Sequence, residues 1–354
     1  MTNLDDLQVY KELDPKGMLW CLHQLPEQCR QAWQAAAGFQ LPADYAAVDK
    51  VVITGMGGSA IGGALLESMA ALKEIPVFVS RDYDLPPFVD GRTLVIASSY
   101  SGVTEETLRA FDQALDTAAK KLVITSGGKL KALAEEKGIP VLCFDYRGPP
   151  RAAFGYSFLS LLGIFHRLGL MADKSREVAE MVTVMEGLAG RLNEGIPLAQ
   201  NPAKKLATRL AGHLIVVYGA GILSQVAYRW KTQFNENSKA WAFHEVFPEL
   251  NHNAVVGYQF PRELAAGAFV ILLRSNSINP RTLVRYQLTA ELLTRAGVEH
   301  EVVPAEGAGP LSQMMSLVLF GDYVSYYLAL LNGVDPWPVE AIDHLKEQLM
   351  LHNG

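Results

Sequence analysis

VVITGMGGSAIGG, residues 51–63, sets four β-branched residues against a glycine-rich turn and then opens a helical stretch. A run of that kind, without polar alternation, suits a strand buried on both faces, the condition of a parallel sheet covered by helices. Working outward, similar runs stand at 77–80, 93–98, 121–125 and 140–144, with helical segments such as 60–72 and 105–119 between them. Buried strands joined by crossover helices predict an α/β fold built on a doubly wound parallel β-sheet flanked by helices.

The second half repeats the pattern. Residues 214–218 lead into Gly219-Ala220-Gly221, as 51–54 lead into Gly55-Met56-Gly57. Residues 270–273 lead into Arg274-Ser275-Asn276-Ser277, as 94–97 lead into Ser98-Ser99-Tyr100-Ser101. The same transitions in the same order predict two related subdomains: 1–165, a helical connection over 166–211, and 212–354. The tail from 311 to 351 reads as two helices broken at 333–338. The most apolar stretches, 152–172 and 311–331, are interrupted by His166, Arg167 and Asp322, so they are expected to be buried helices rather than membrane spans.

The totals agree with this division. A chain of 354 residues fits two domains of about 150 residues each. A net charge of -6 speaks against nucleic acid as a partner, since a phosphate backbone needs a basic face. Cys21, Cys29 and Cys143 show neither metal-ligand nor disulfide spacing, and the first residues are polar and acidic, unlike a signal peptide. A cytoplasmic protein is expected.

Two loops carry the chemistry. The turn Gly55-Met56-Gly57-Gly58-Ser59 opens a helix, whose unpaired N–H groups and positive dipole end favour an anion. Taken alone it also fits a dinucleotide fingerprint, with Gly55, Gly57 and Ala60 in place and Asp82 after the next strand. A tight turn with no ligand is a third reading. The second loop, Ser98 to Thr107, places Ser99, Ser101 and Thr104 around another helix start. Neighbouring strands of a doubly wound sheet deliver such loops to one crevice. Gly57, Gly58, Ser59, Ser99, Ser101 and Thr104 are therefore expected to cradle a terminal phosphate, with helix capping as part of the role of Thr104.

With GMGGSAIGG, SYSGVTEET, PRAAFGYSF, FNENSK, ELNHNAVVG and the tail GDYVSYYLALLNGVDPWPVEAIDHLK, the chain resembles the bifunctional phosphoglucose/phosphomannose isomerase family of the SIS (sugar isomerase) superfamily. These motifs run in order from 55 to 346. The resemblance implies two SIS-type subdomains and interconversion of glucose or mannose 6-phosphate with fructose 6-phosphate, without cofactor or metal. It implies Glu236 as the base moving a proton between C1 and C2, and Arg151 facing the enediolate. His252 would open the ring from the partner subunit of a homodimer, assisted by Lys346. Two departures stand out: Val103 where the family has a polar asparagine, and Trp337 where a small residue is expected.

Read without the family, these residues have plainer alternatives. Glu236 is a solvated helix glutamate, Lys346 lies on the outer side of an amphipathic helix, and His252 in Asn251-His252-Asn253 bonds to nearby backbone. Arg151 follows Pro149-Pro150, a rigid approach that fixes where its side chain starts. His244, Glu245, Glu249 and His252 lack the spacing of a helical zinc motif, and Pro248 interrupts the helix face, so no metal is expected. Other readings are an NAD-dependent enzyme on the Gly55 loop, a non-catalytic sugar-phosphate sensor, and an isomerase of amino-sugar phosphates. The acidic first 50 residues show no helix-turn-helix character that would suit a DNA-binding sensor.

Overall fold

The computed structural model describes residues 2–69 and 75–352. Three helices come first, α1 (Leu7–Leu13), α2 (Met18–His23) and α3 (Leu25–Ala37). A five-stranded unit follows: β1 (Lys50–Thr54), α4 (Gly57–Ser68), β2 (Val77–Ser80), β3 (Thr93–Ser99), α5 (Glu105–Leu115), β4 (Lys120–Thr125), α6 (Gly128–Glu136) and β5 (Val141–Cys143). Helices α7 (Phe154–Arg167), α8 (Ser175–Leu192) and α9 (Pro202–Leu210) lead to a second unit. It comprises β6 (Leu214–Ala220), α10 (Ser224–Glu236), β7 (Ala242–Phe247), α11 (Arg262–Ala266), β8 (Ala268–Arg274), α12 (Pro280–Ala296) and β9 (Glu299–Pro304). Helices α13 (Pro310–Leu331) and α14 (Glu340–Leu351) end the chain.

Both sheets are wholly parallel, ordered β2-β1-β3-β4-β5 and β7-β6-β8-β9. The second order is the first with its last strand removed, and both have helices on their faces. Strand β3 is buried along its whole length and β1 along all but its first residue, which is why their apolar runs were legible. The edge strands β7 and β9 were not anticipated. Their sequences, AFHEVF and EHEVVP, carry charge and are only partly buried, as edges are when they must discourage further pairing.

Other boundaries moved. The helix expected at 105–119 stops at Leu115, where Thr117 Oγ1 turns back to the Ala114 carbonyl and receives the Ala119 N–H. The helix expected at 60–72 starts earlier, at Gly57, and its expected end lies outside the described residues. The apolar stretches are buried helices. α7 packs between α3 and α4, and α13 between α8, α9 and α10. α13 is long and apolar enough to cross a membrane by length and composition, yet 89% of its apolar window is buried inside the protein. A helix apolar all round needs neighbours on every side, and here protein supplies them.

Candidate active site

The chain leaves β1 for β2 on one side of the sheet and returns to β3 on the other. At that reversal the loops after β1 and β3 diverge and leave a crevice at the strand ends, the usual binding position in such sheets. Glycine is needed on the β1 side. A Cβ on Gly55 would stand 2.7 Å from the Ser98 carbonyl oxygen, and one on Gly58 would stand 2.8 Å from that of Pro150. The two loops are bonded to each other: Ser59 Oγ accepts the Tyr100 N–H at 3.0 Å, and Ser98 Oγ donates to the Ser59 carbonyl at 3.4 Å.

Neither helix that opens here is capped by a side chain. α4 follows Met56, which cannot cap, and its first turn holds no acidic residue. α5 follows Thr104, but the expected cap is absent. The Thr104 hydroxyl instead pairs with Ser99 Oγ at 2.9 Å, and Ser99 Oγ also accepts the Gly102 N–H at 3.1 Å. Ser101 is exposed, with Oγ accepting the Val103 N–H at 3.3 Å. The first-turn acids Glu105 and Glu106 offset the dipole of α5, so the start of α4, with Gly57, Gly58 and Ser59, is the stronger anion donor. Val103 is 60% exposed, and only its backbone N–H is bonded to the loop, at Ser101 Oγ. Asp82, the acid a dinucleotide site would need, is exposed and accepts its neighbour's N–H, that of Tyr83.

The second sheet has the same reversal between β6 and β8, and there a side chain holds the loop after β8. The carboxamide oxygen of buried Gln313, from α13, accepts from Ser275 Oγ, from the Asn276 N–H at 3.1 Å and from Ser277 Oγ at 3.5 Å. Asn279 caps α12 through the Arg281 N–H. The loop after β3 is tied in a similar way, its Tyr100, Gly102 and Val103 N–H groups donating to Ser59, Ser99 and Ser101.

Arg151 lies in a 3-10 turn, Pro150–Ala152, beneath the first turn of α4. A Cβ on Gly58 would be 3.2 Å from Arg151 Cα, so the cradle and Arg151 share a backbone contact. The side chain is 3% exposed, with each of its three nitrogens engaged. Nε donates to Asn237 Oδ1 at 2.7 Å, Nη2 to the carbonyls of Pro336 at 2.7 Å and Trp337 at 2.8 Å, and Nη1 faces Glu236 Oε2 at 3.5 Å. Burial lowers its pKa, with the charge of Glu236 acting the other way. Glu236 ends α10 and its side chain is 27% exposed, so it is neither the freely solvated glutamate of the plain reading nor a closed ion pair. Asn237 Nδ2 donates to Ser325 Oγ and Ser238 Oγ to the Ser325 carbonyl, which pins the end of α10 to α13.

A second layer escaped sequence reading. Buried Arg229 donates to Asp322 at 2.6 Å and to the Arg151 carbonyl at 3.3 Å, with its guanidinium over the Phe154 ring. Gln233 donates to the other oxygen of Asp322. Asp322 was visible only as a break in an apolar run; nothing local told it to meet Arg229.

Glu236 opens onto a cavity of about 700 Å³ lined also by Asn235, Lys239, Asp335, Glu340 and Ile342. Lys346 lies one turn beyond Ile342 on α14, a helix with no buried residue, and is exposed. His252 is exposed as well, at the end of a short 3-10 turn, and the hydrogen bonds of the described residues include none to its ring. Its neighbours are fixed, Asn251 to Thr289 Oγ1 at 2.9 Å and Asn253 to Glu249 Oε1 at 3.0 Å. One chain thus unites the cradle, Arg151 and Glu236, and leaves His252 and Lys346 outside that group. Trp337 is half-buried with its ring against the core and its carbonyl on Arg151.

Two parallel sheets flanked by helices are the arrangement of SIS-type sugar isomerases, and the family described as "Bacterial phospho-glucose isomerase C-terminal SIS domain" matches residues 199–349. A hypothetical protein of Thermus thermophilus shares the fold, with a TM-score of 0.75 and 19% identity over 99% of this chain and 94% of that one. The bifunctional phosphoglucose/phosphomannose isomerase of Caldicellulosiruptor bescii is 42% identical over 94% of this chain and 98% of its own length. That of Aquifex aeolicus is 36% identical over 85% of this chain and 91% of its own. The chain belongs to the bifunctional phosphoglucose/phosphomannose isomerase family and is an isomerase.

Proposed function

We propose that the protein interconverts glucose 6-phosphate and mannose 6-phosphate with fructose 6-phosphate through a cis-enediol, without a metal. Glu236 is the base in this reading. It takes the proton from C2 of the open-chain aldose, the C–H electron pair forms the C1=C2 double bond, and the carbonyl electrons move onto O1. Return of the proton to C1, with transfer of the O2 proton to O1 as C2=O forms, gives the ketose. Glucose and mannose 6-phosphates differ only at C2, so proton removal there erases the difference, and one site serves both if the open chain can rotate.

Each remaining part has an assigned role. Gly57, Gly58, Ser59, Ser99, Ser101 and Thr104 hold the phosphate and direct its binding energy to the reacting end. Arg151 balances the developing enediolate charge. His252 of the partner subunit and Lys346 open the ring, so the working unit is a homodimer. The chain divides at 165 and 211, with α7 crossing the first boundary. The location is cytoplasmic, consistent with three free cysteines. The observation that carries the reading is the position of Arg151, whose backbone touches the cradle and whose guanidinium touches Glu236.

A coupled assay on fructose 6-phosphate with EDTA present, scoring glucose 6-phosphate and mannose 6-phosphate separately, tests it. Both products are expected. Formation of neither by folded protein would overturn the reading, and one alone would restrict it to a single epimer.

A further inference from the structure

Lys239 stands in backbone that disfavours it. Among the described residues it is the only non-glycine with positive φ, +53°, where a Cβ crowds the carbonyl. The position closes α10, with the Ala240 N–H bonded back to the Phe234 carbonyl, and helices that end this way commonly place glycine there. A lysine is present instead, and all three of its donors are used. Nζ donates to the carbonyls of Glu236 at 2.6 Å, Pro338 at 2.7 Å and Pro336 at 3.4 Å. Arg151 grips the same crossing through Pro336 and Trp337. The two cations therefore share the Pro336 carbonyl, and both meet Glu236, one at its backbone and the other at its carboxylate. The residue as a whole is exposed, but partial desolvation of its ammonium and the nearby Arg151 charge lower its pKa.

We propose that Lys239 is a positioning residue for the isomerisation: with Arg151 it clamps the 336–338 crossing to the end of α10, fixing the Glu236 carboxylate and the direction in which α14 leaves. The inference rests on the reading of Glu236 as the base. Lys239 acts through backbone carbonyls. Its effect is therefore on where the base and the cavity wall stand, and so on kcat more than on substrate affinity.

Three variants of the full chain test this with fructose 6-phosphate as substrate. Lys239→Met keeps the stem and removes the donors, Lys239→Arg keeps donors, and Lys239→Gly removes the donors while relaxing the backbone. The Met variant is expected to lose about tenfold to a hundredfold in kcat with KM within about threefold, the size of effect a small misplacement causes. Arginine should recover most of that rate. Backbone amides of 337–342 should exchange faster in the Met variant while those within α10 stay protected. The Gly variant, freed of strain, should melt no lower than the Met variant yet share its low kcat. A Met variant with kcat within about twofold of wild type, alongside an inactive Glu236→Gln, would overturn the positioning role alone. So would a Gly variant that regains stability and rate together. An active Glu236→Gln would remove the base assignment and this inference with it.

Discussion

Nη1 of Arg151 stands 3.5 Å from Oε2 of Glu236, across 85 residues of sequence. That separation is long for a charged hydrogen bond, and the other three contacts of the guanidinium go to Asn237, Pro336 and Trp337. Arg151 is therefore held by neutral oxygens and leaves the carboxylate oriented without closing on it. This geometry suits the base role proposed for Glu236, which needs a lone pair free for the substrate.

Glu236→Gln is expected to lower kcat by about 10² to 10⁴, the usual contribution of a positioned acid–base group, with a small change in KM. The decisive measurement is wash-in of solvent deuterium at C2 of the sugar phosphate. Exchange at the wild-type rate in the variant would place the base elsewhere.

Ser59→Ala should act on binding. Loss of a hydrogen bond to a charged group is worth about 1.5–3 kcal/mol, so KM for the sugar phosphate should rise by roughly tenfold or more. The inhibition constant of inorganic phosphate should rise by a similar factor. If phosphate inhibition is unchanged while KM rises, the serine does not contact the phosphate.

Gly58→Ala introduces a Cβ 2.8 Å from the Pro150 carbonyl oxygen and 3.2 Å from Arg151 Cα. Overpacking of this kind costs about 1–3 kcal/mol and here also displaces Arg151. A lower denaturation midpoint together with reduced kcat is expected. Normal kcat at reduced stability would show that Arg151 tolerates the shift.

Asp322→Asn leaves the buried Arg229 without its counter-charge. Breaking a buried pair in this way costs about 3–5 kcal/mol, to be read from chemical denaturation. Replacing both partners with apolar residues should recover part of the loss, and a single variant as stable as the parent would contradict the pairing.

Mixing Glu236→Gln and His252→Ala subunits should restore part of the activity if each site draws its histidine from the partner. Some heterodimer sites would then hold both an intact glutamate and an intact histidine. Verified subunit exchange with no recovery would place His252 outside the partner's site.

Much of this was open to reading along the chain. β1 and β3 are apolar because they are covered on both faces, and the loops after them carry glycine and hydroxyls within a few positions. Such signals are local, set by φ, by β-branching and by the unpaired ends of helices. β7 and β9 went unseen because an edge strand has one free flank and tolerates His244, Glu245, Glu299 and Glu301.

The amino-acid order by itself determined the parallel sheets, the buried helices α7 and α13, and the two loops able to meet a phosphate. Only the tertiary structure decided that Arg151 reaches Glu236, that Gln313 ties down the loop after β8, and that Lys239 spans to Pro336 and Pro338. Local conformational preferences act over a few residues and leave a trace in sequence. Contacts between side chains far apart in the chain arise from packing, which leaves no periodic mark.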